Sequence, residues 1–158
     1  MKFKEPEALN SVAKFHDTFN LPIHDTPQIP DPERCMLRIN LLQEELNELK
    51  EAIAQNDLIE VADAFCDIQY VLSGAILEFG LAKKFKTLFD EVQRSNMSKT
   101  CKSLDEANAT QKHYDAKEQP SDIKQSHDEF LVYRKEDGKV LKSINYSAAN
   151  LVQFLESE

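Results

Sequence analysis

Tryptophan is missing from this 158-residue chain, and glycine and cysteine occur only three times each. So little glycine argues against a turn-rich sandwich or barrel, and it leaves long helices as the natural use of a composition that is 41% hydrophobic. The cysteines, Cys35, Cys66 and Cys101, are odd in number, widely spaced and without a CxxC pair. They fit reduced thiols better than a disulfide framework or a zinc site, and Cys66 reads most simply as a packed core residue. Basic residues are scarce as well, 19 against 28 acidic ones, for a formal net charge of −9. Nucleic-acid backbones and anionic membrane surfaces attract the opposite sign, so neither is the expected main partner, and a phosphate ligand would need a bridging cation. No apolar run reaches the length of a transmembrane helix and MKFKEPEALN has no apolar leader segment, so the expectation is a soluble, cytoplasmic protein.

What the chain has instead is helical periodicity. Leu9, Val12, Phe15 and Phe19 predict a first helix within 6–19. Four prolines from Pro22 to Pro32 then predict a loop, because proline removes a backbone donor and disfavours helix in the residue before it. Met36, Ile39, Leu42, Leu46, Leu49 and Ile53 mark a second helix from Pro32 to Gln55, capped by Asp31. Asn56-Asp57 breaks it, and Asp57 caps a third helix with the stripe Val61, Phe65, Ile68, Leu72 and Phe79, closed by Gly80. So short a turn makes the two long helices antiparallel. Phe85, Leu88, Phe89 and Val92 predict a fourth helix that fades near RSNMSK. Residues 100–128 are polar and weakly periodic, and are expected to be a linker or loosely ordered segment. FLVYRKEDGKVLKS alternates around Asp137-Gly138 as a hairpin does, and SAANLVQFLESE reads as a short closing helix capped by Ser147. The expected fold is all-α: an antiparallel helical bundle over 1–99, with a hairpin and helix appendage over 129–158.

Two carboxylate clusters interrupt the long helices. Glu44, Glu45 and Glu48 form one; Glu60 and Asp63 form the other, with Asp67 a turn beyond. Residues three or four apart share a helix face, so antiparallel neighbours can bring the pairs Glu45/Glu48 and Glu60/Asp63 to one point. Four oxygen ligands without His or Cys suit a hard divalent cation, Mg²⁺ with Mn²⁺ able to substitute. The di-iron carboxylate bundles need Glu-x-x-His, which neither cluster supplies. His16, His24, His113 and His127 all lie elsewhere and read as surface or packing residues. The other reading of the clusters is a solvated acidic face, with Asp57 and Glu60 as a capping box. Asp63 and Asp67 speak against it, since they sit among Ala62, Ala64, Phe65 and Ile68, well past any cap.

The order ExxE (Glu45, Glu48), short turn, ExxD (Glu60, Asp63), within LRINLLQEELNEL, EVADAFCDIQYVLSGAILEFGL and RSNMSK, resembles the MazG-like all-α nucleoside triphosphate pyrophosphohydrolases, in their phosphoribosyl-ATP-pyrophosphohydrolase-like branch. The resemblance covers residues 12 to 99 and, more loosely, DGKVLKSINYS. Ser73-Gly74 stands where many relatives have Gly-Thr. The resemblance implies that Glu45, Glu48, Glu60 and Asp63 bind metal and that Glu44 orients or deprotonates the attacking water. It implies that Asn96 and Lys99 touch substrate phosphates and that Tyr70 lines a base or sugar pocket. The implied reaction turns a nucleoside triphosphate, preferably a deoxynucleotide, into the monophosphate and pyrophosphate in a homodimer or dimer-based tetramer. The alternatives are phosphoribosyl-ATP as substrate, or a non-catalytic acidic helical domain that binds a basic partner.

Overall fold

The computed structural model describes residues 2–156. It is mostly helical, in the order α1 (Ala8–Thr18), α2 (Pro32–Gln55), α3 (Leu58–Glu78), α4 (Ala82–Met97), α5 (Leu104–Asp115), β1 (Ser121–Ser126), β2 (Glu129–Arg134) and α6 (Val152–Leu155). Two compact units divide the chain, Met1–Lys86 and Thr87–Glu158, and the boundary falls inside α4.

In the first unit the helix ends are set by local chemistry. The Asp31 side chain accepts the Arg34 N–H at 3.0 Å with Pro32 behind it, and Asn56 ends α2 in the left-handed region at φ 56°. Asp57 then accepts from Ile59 N and Glu60 N at 3.0 and 3.2 Å, so α3 restarts at once and runs back along α2. The Asp57 N–H goes to the Ala52 carbonyl, so the capping box with Glu60, the alternative reading of these residues, is not what closes this turn. Antiparallel packing is visible in the ion pairs: Arg34 and Arg38 at the start of α2 both reach Glu78 at the end of α3. Burial pushes the Glu78 carboxyl up, but the hydrogen bonds from the two arginines outweigh it and hold it below its ordinary range. His16 of α1 is buried beside this group. A guanidinium only donates, so His16 Nε2 accepts from Arg38 at 3.2 Å, and Nδ1 therefore carries the proton that meets the Pro22 carbonyl at 2.9 Å. One network thus ties α1, the proline loop, α2 and α3. Gly80, at φ 68°, ends the third helix where the loop lies so close that a Cβ would fall 1.9 Å from the Thr26 carbonyl oxygen.

The expected stripes of α2 and α3 face inward only in part: Leu42 and Leu49 on α2, and Val61 and Ile68 on α3 with Phe79 at its C-cap, are half-buried. Ala52, Ala64, Ser73, Gly74, Ile76 and Leu77 are buried, whereas Met36, Ile39, Leu46 and Ile53 on α2, and Phe65 and Leu72 on α3, are exposed. Cys66 is exposed as well, not packed in a core.

The second unit corrects two expectations. Residues 100–128 are not a linker: Ser103 caps α5 by accepting from Glu106 N at 3.2 Å, and α5 packs on β1 and β2 over a core of Cys101, Ala107, Val132 and Leu141. The regular hairpin pairs Ser121–Ser126 with Glu129–Arg134, turning at His127-Asp128. Asp137-Gly138 does turn the chain, but the returning strand makes only one isolated bridge, Tyr133 with Val140. Ser147 does not cap a closing helix. It bonds to Ser98, and the short α6 begins at Val152 with Leu151 at its N-cap position and no side-chain cap; Ser157 and Glu158 of the expected helix lie outside the described residues.

Candidate active site

Glu45 lies on the inner side of α2, half-buried, while Glu44 and Glu48 are exposed. Across from them on α3, Asp63 is exposed and Asp67 half-buried. The Glu45 carboxyl is raised, first by desolvation and then by the negative charges of Asp67, Glu48, Glu44 and Asp63, in that order. The two helices thus bring acidic groups from both strands of the helical hairpin to bear on one carboxylate. Among the described residues none of these five carboxylates is ion-paired to Lys or Arg. As placed, no three His, Cys, Asp or Glu side chains among the described residues lie close enough together to hold an ion.

Glu60 stands apart from this convergence. It is exposed in the first turn of α3, with its N–H on the Asp57 side chain, and it is not among the charges that raise Glu45. Asp67 is the strongest of them. Its position i+4 from Asp63 puts both on one face of α3, and that spacing is the signal by which a sequence reading finds it.

Tyr70 is two-fifths exposed and meets Phe15 edge-on, with ring centroids 5.7 Å apart. With Val12, Phe15, Leu37 and Leu41 it lines a cavity of about 260 Å³ that also touches Arg38 and His16. Arg38 and Gly74 each lie seven residues from Glu45 and Asp67, so the polar end of this cavity is roughly 10 Å along the helices from the acidic groups. Asn96 and Lys99 belong to the second unit. Lys99 Nζ donates to Asn96 Oδ1 at 2.7 Å, and both border a recess of about 770 Å³ whose other walls include Ser126, His127, Asp128 and Glu129.

Residues 12–96, more than half of the chain, match the phosphoribosyl-ATP pyrophosphohydrolase family. The chain belongs to that family. That family is part of the MazG-like superfamily, whose members act as pyrophosphohydrolases on nucleotides. The match contains the carboxylates of α2 and α3 described above and ends at Asn96, before Lys99 and all of α5 and the hairpin. An uncharacterized protein of Acanthamoeba polyphaga mimivirus is 31% identical over 93 residues, which is 56% of this chain and 37% of that protein. This pyrophosphohydrolase family member therefore spans well under half the length of that relative.

Among the described residues no single helix is long and apolar enough to cross a membrane.

Proposed function

We propose that the chain hydrolyses nucleoside triphosphates, deoxynucleotides in preference, to the monophosphate and pyrophosphate with Mg²⁺, for which Mn²⁺ can substitute. The observation that carries this reading is Glu45, surrounded by the charges of Asp67, Glu48, Glu44 and Asp63 with no lysine or arginine to balance them. Such crowding costs stability unless a cation completes it, and an all-oxygen donor set without His or Cys fits a hard divalent ion. Glu45, Glu48, Asp63 and Asp67 would hold the metal, with Glu60 a further ligand by its position in the family pattern. Bound there, the ion would neutralise charge on phosphate oxygens and ease attack at phosphorus. Glu44 is the base in this reading: its carboxylate takes a proton from water as the new O–P bond forms and the P–O bond to pyrophosphate breaks. Tyr70 and its cavity would take the base or sugar.

Phosphoribosyl-ATP is the second substrate candidate, favoured by the family's own description. Both substrates release pyrophosphate, so a panel of ribo- and deoxynucleoside triphosphates and phosphoribosyl-ATP, with Mg²⁺ and anion-exchange analysis of the products, separates them. Monophosphate with pyrophosphate supports the reading; orthophosphate with the diphosphate as primary products refutes it. Labelled water would show which phosphorus is attacked. The outward apolar stripes of α2 and α3 support a homodimer or a dimer-based tetramer, and three free cysteines suit the reducing cytoplasm.

A further inference from the structure

Lys99 and Lys142 belong to segments 43 residues apart, yet both bear on one phenol of the second unit. Lys142 Nζ lies 4.3 Å from the centroid of the Tyr146 ring, and the Tyr146 hydroxyl lies 3.0 Å from Ser95 Oγ. That hydrogen bond first, and then the charges of Lys142 and Lys99, hold the phenol below its ordinary range. Among the described residues neither lysine is ion-paired to a carboxylate, although Lys102 pairs with Glu129 and Lys135 with Asp122 in the same unit. Lys142 gains a cation–π contact with this ring and Lys99 a hydrogen bond to Asn96 Oδ1 at 2.7 Å, but in a chain with net charge −9 neither ammonium charge is offset by a carboxylate, which leaves both to an anion.

The backbone holds this grouping in place. The Ser143 N–H donates to the Lys99 carbonyl at 3.3 Å, Arg94 Nη2 to the Ala148 carbonyl at 3.1 Å, Ser147 N to Ser98 Oγ at 3.0 Å, and Asn150 N to Glu91 at 2.8 Å. Residues 143–150 are thereby laid along the last turns of α4, the turns that carry Ser95 and Asn96. Little ordering remains to be done when a ligand arrives. Lys99 also borders the recess described above, which is roomy enough for a phosphate chain; of the two carboxylates that line it, Asp128 and Glu129, Glu129 is ion-paired to Lys102.

We infer that Lys142 and the Tyr146 hydroxyl act with Lys99 as a binding group for a polyphosphate anion, contributed by a C-terminal segment that lies beyond the residues matched to the family. Two ammonium groups and a phenolic donor are what phosphate oxygens accept from, and charge-assisted bonds of this kind are the stronger ones. That the anion is pyrophosphate or the phosphate chain of a nucleotide rests on the pyrophosphohydrolase reading; the cationic grouping itself does not.

Inorganic pyrophosphate titrated calorimetrically into the whole chain, with EDTA present, reads this group apart from any metal. Lys142→Ala should weaken binding about tenfold and Lys142→Arg should restore most of it. Tyr146→Phe should weaken it less. Lys124→Ala, which removes a lysine placed 5.0 Å over the Tyr133 ring, should change nothing. Lys142 is exposed, so circular dichroism should show its variants folded. Equal affinity in wild type and Lys142→Ala, or no pyrophosphate binding by the wild type, overturns the inference. Triphosphate turnover measured alongside keeps the two readings apart. Hydrolysis with Lys142-independent binding sinks the anion group alone, and Lys142-dependent binding without hydrolysis sinks the reaction alone.

Discussion

A single carboxylate, Glu45, shows how position sets chemistry. Half-burial and four acidic neighbours make its charged form costly in the metal-free fold, so whatever relieves that cost binds the folded state selectively. Mg²⁺ or Mn²⁺ should therefore raise the melting temperature of the wild type. Glu48→Ala and Asp63→Ala should lose that rise and at least about a hundredfold in turnover, while their metal-free forms stay folded. Either variant turning over at the wild-type rate would remove the metal assignment. Glu91 offers the opposite case. It is buried in the second unit, where the Arg94 guanidinium and then the Asn150 N–H hold its carboxyl down to about 2 from an ordinary 4.5. A depressed carboxyl stabilises the fold above its unfolded value and loses that contribution as pH falls through the folded one. Acid should therefore loosen the 147–150 segment between about pH 4.5 and 2. Amide exchange at Asn150 would show this, and Glu91→Gln should have lost that protection already at neutral pH.

At the scale of elements, what the sequence made legible was what is decided within a turn or two. Asp31, Pro32, Asn56, Asp57 and Gly80 act on their own neighbours, and the bounds of α2 and α3 follow from them. Element α5 was not legible, because LDEANATQKHYD buries only Ala107 and Thr110, residues too small to mark a stripe. Nor was β1: SDIKQS is polar, and only its pairing with EFLVYR, three residues on, makes it a strand. The Asp137-Gly138 turn could be read, but the competition between two partners for β2 could not. In the site, residue types and helix faces were legible; the grouping of Lys142 and Tyr146 with Lys99 was not, since it depends on a distant segment folding back. Gly80 gives a test of element-level reasoning. Its positive φ and the nearby Thr26 carbonyl mean that Gly80→Ala carries both strain and a clash, and should cost at least about 2 kcal/mol in chemical denaturation. Gly138 has a similar φ but open space around it, so Gly138→Ala should cost about 1 kcal/mol. Equal costs at the two positions would mean that the contact with the proline loop does not constrain the end of α3.

The apolar surface of the whole molecule points beyond one chain. Ile39, Leu46 and Ile53 recur every seven residues along α2, Leu58, Phe65 and Leu72 do the same along α3, and all six are exposed. Solubility alone would favour charge at such positions, and a heptad seam on two antiparallel helices is the surface that a second helical pair covers in a four-helix bundle. A second copy of this chain supplies such a pair without any further gene product, and two-fold symmetry makes the seam self-complementary. The expected form is thus a dimer, or a dimer-based tetramer, at micromolar concentration in light scattering. A charge placed in the seam should break it: Leu46→Glu or Phe65→Glu would shift the mass to that of one chain. Both positions are exposed within a chain, so the helical signal should persist in the monomer. A wild type that scatters as a monomer would show that the seam serves another partner, and a dimer untouched by both charges would show that copies meet elsewhere.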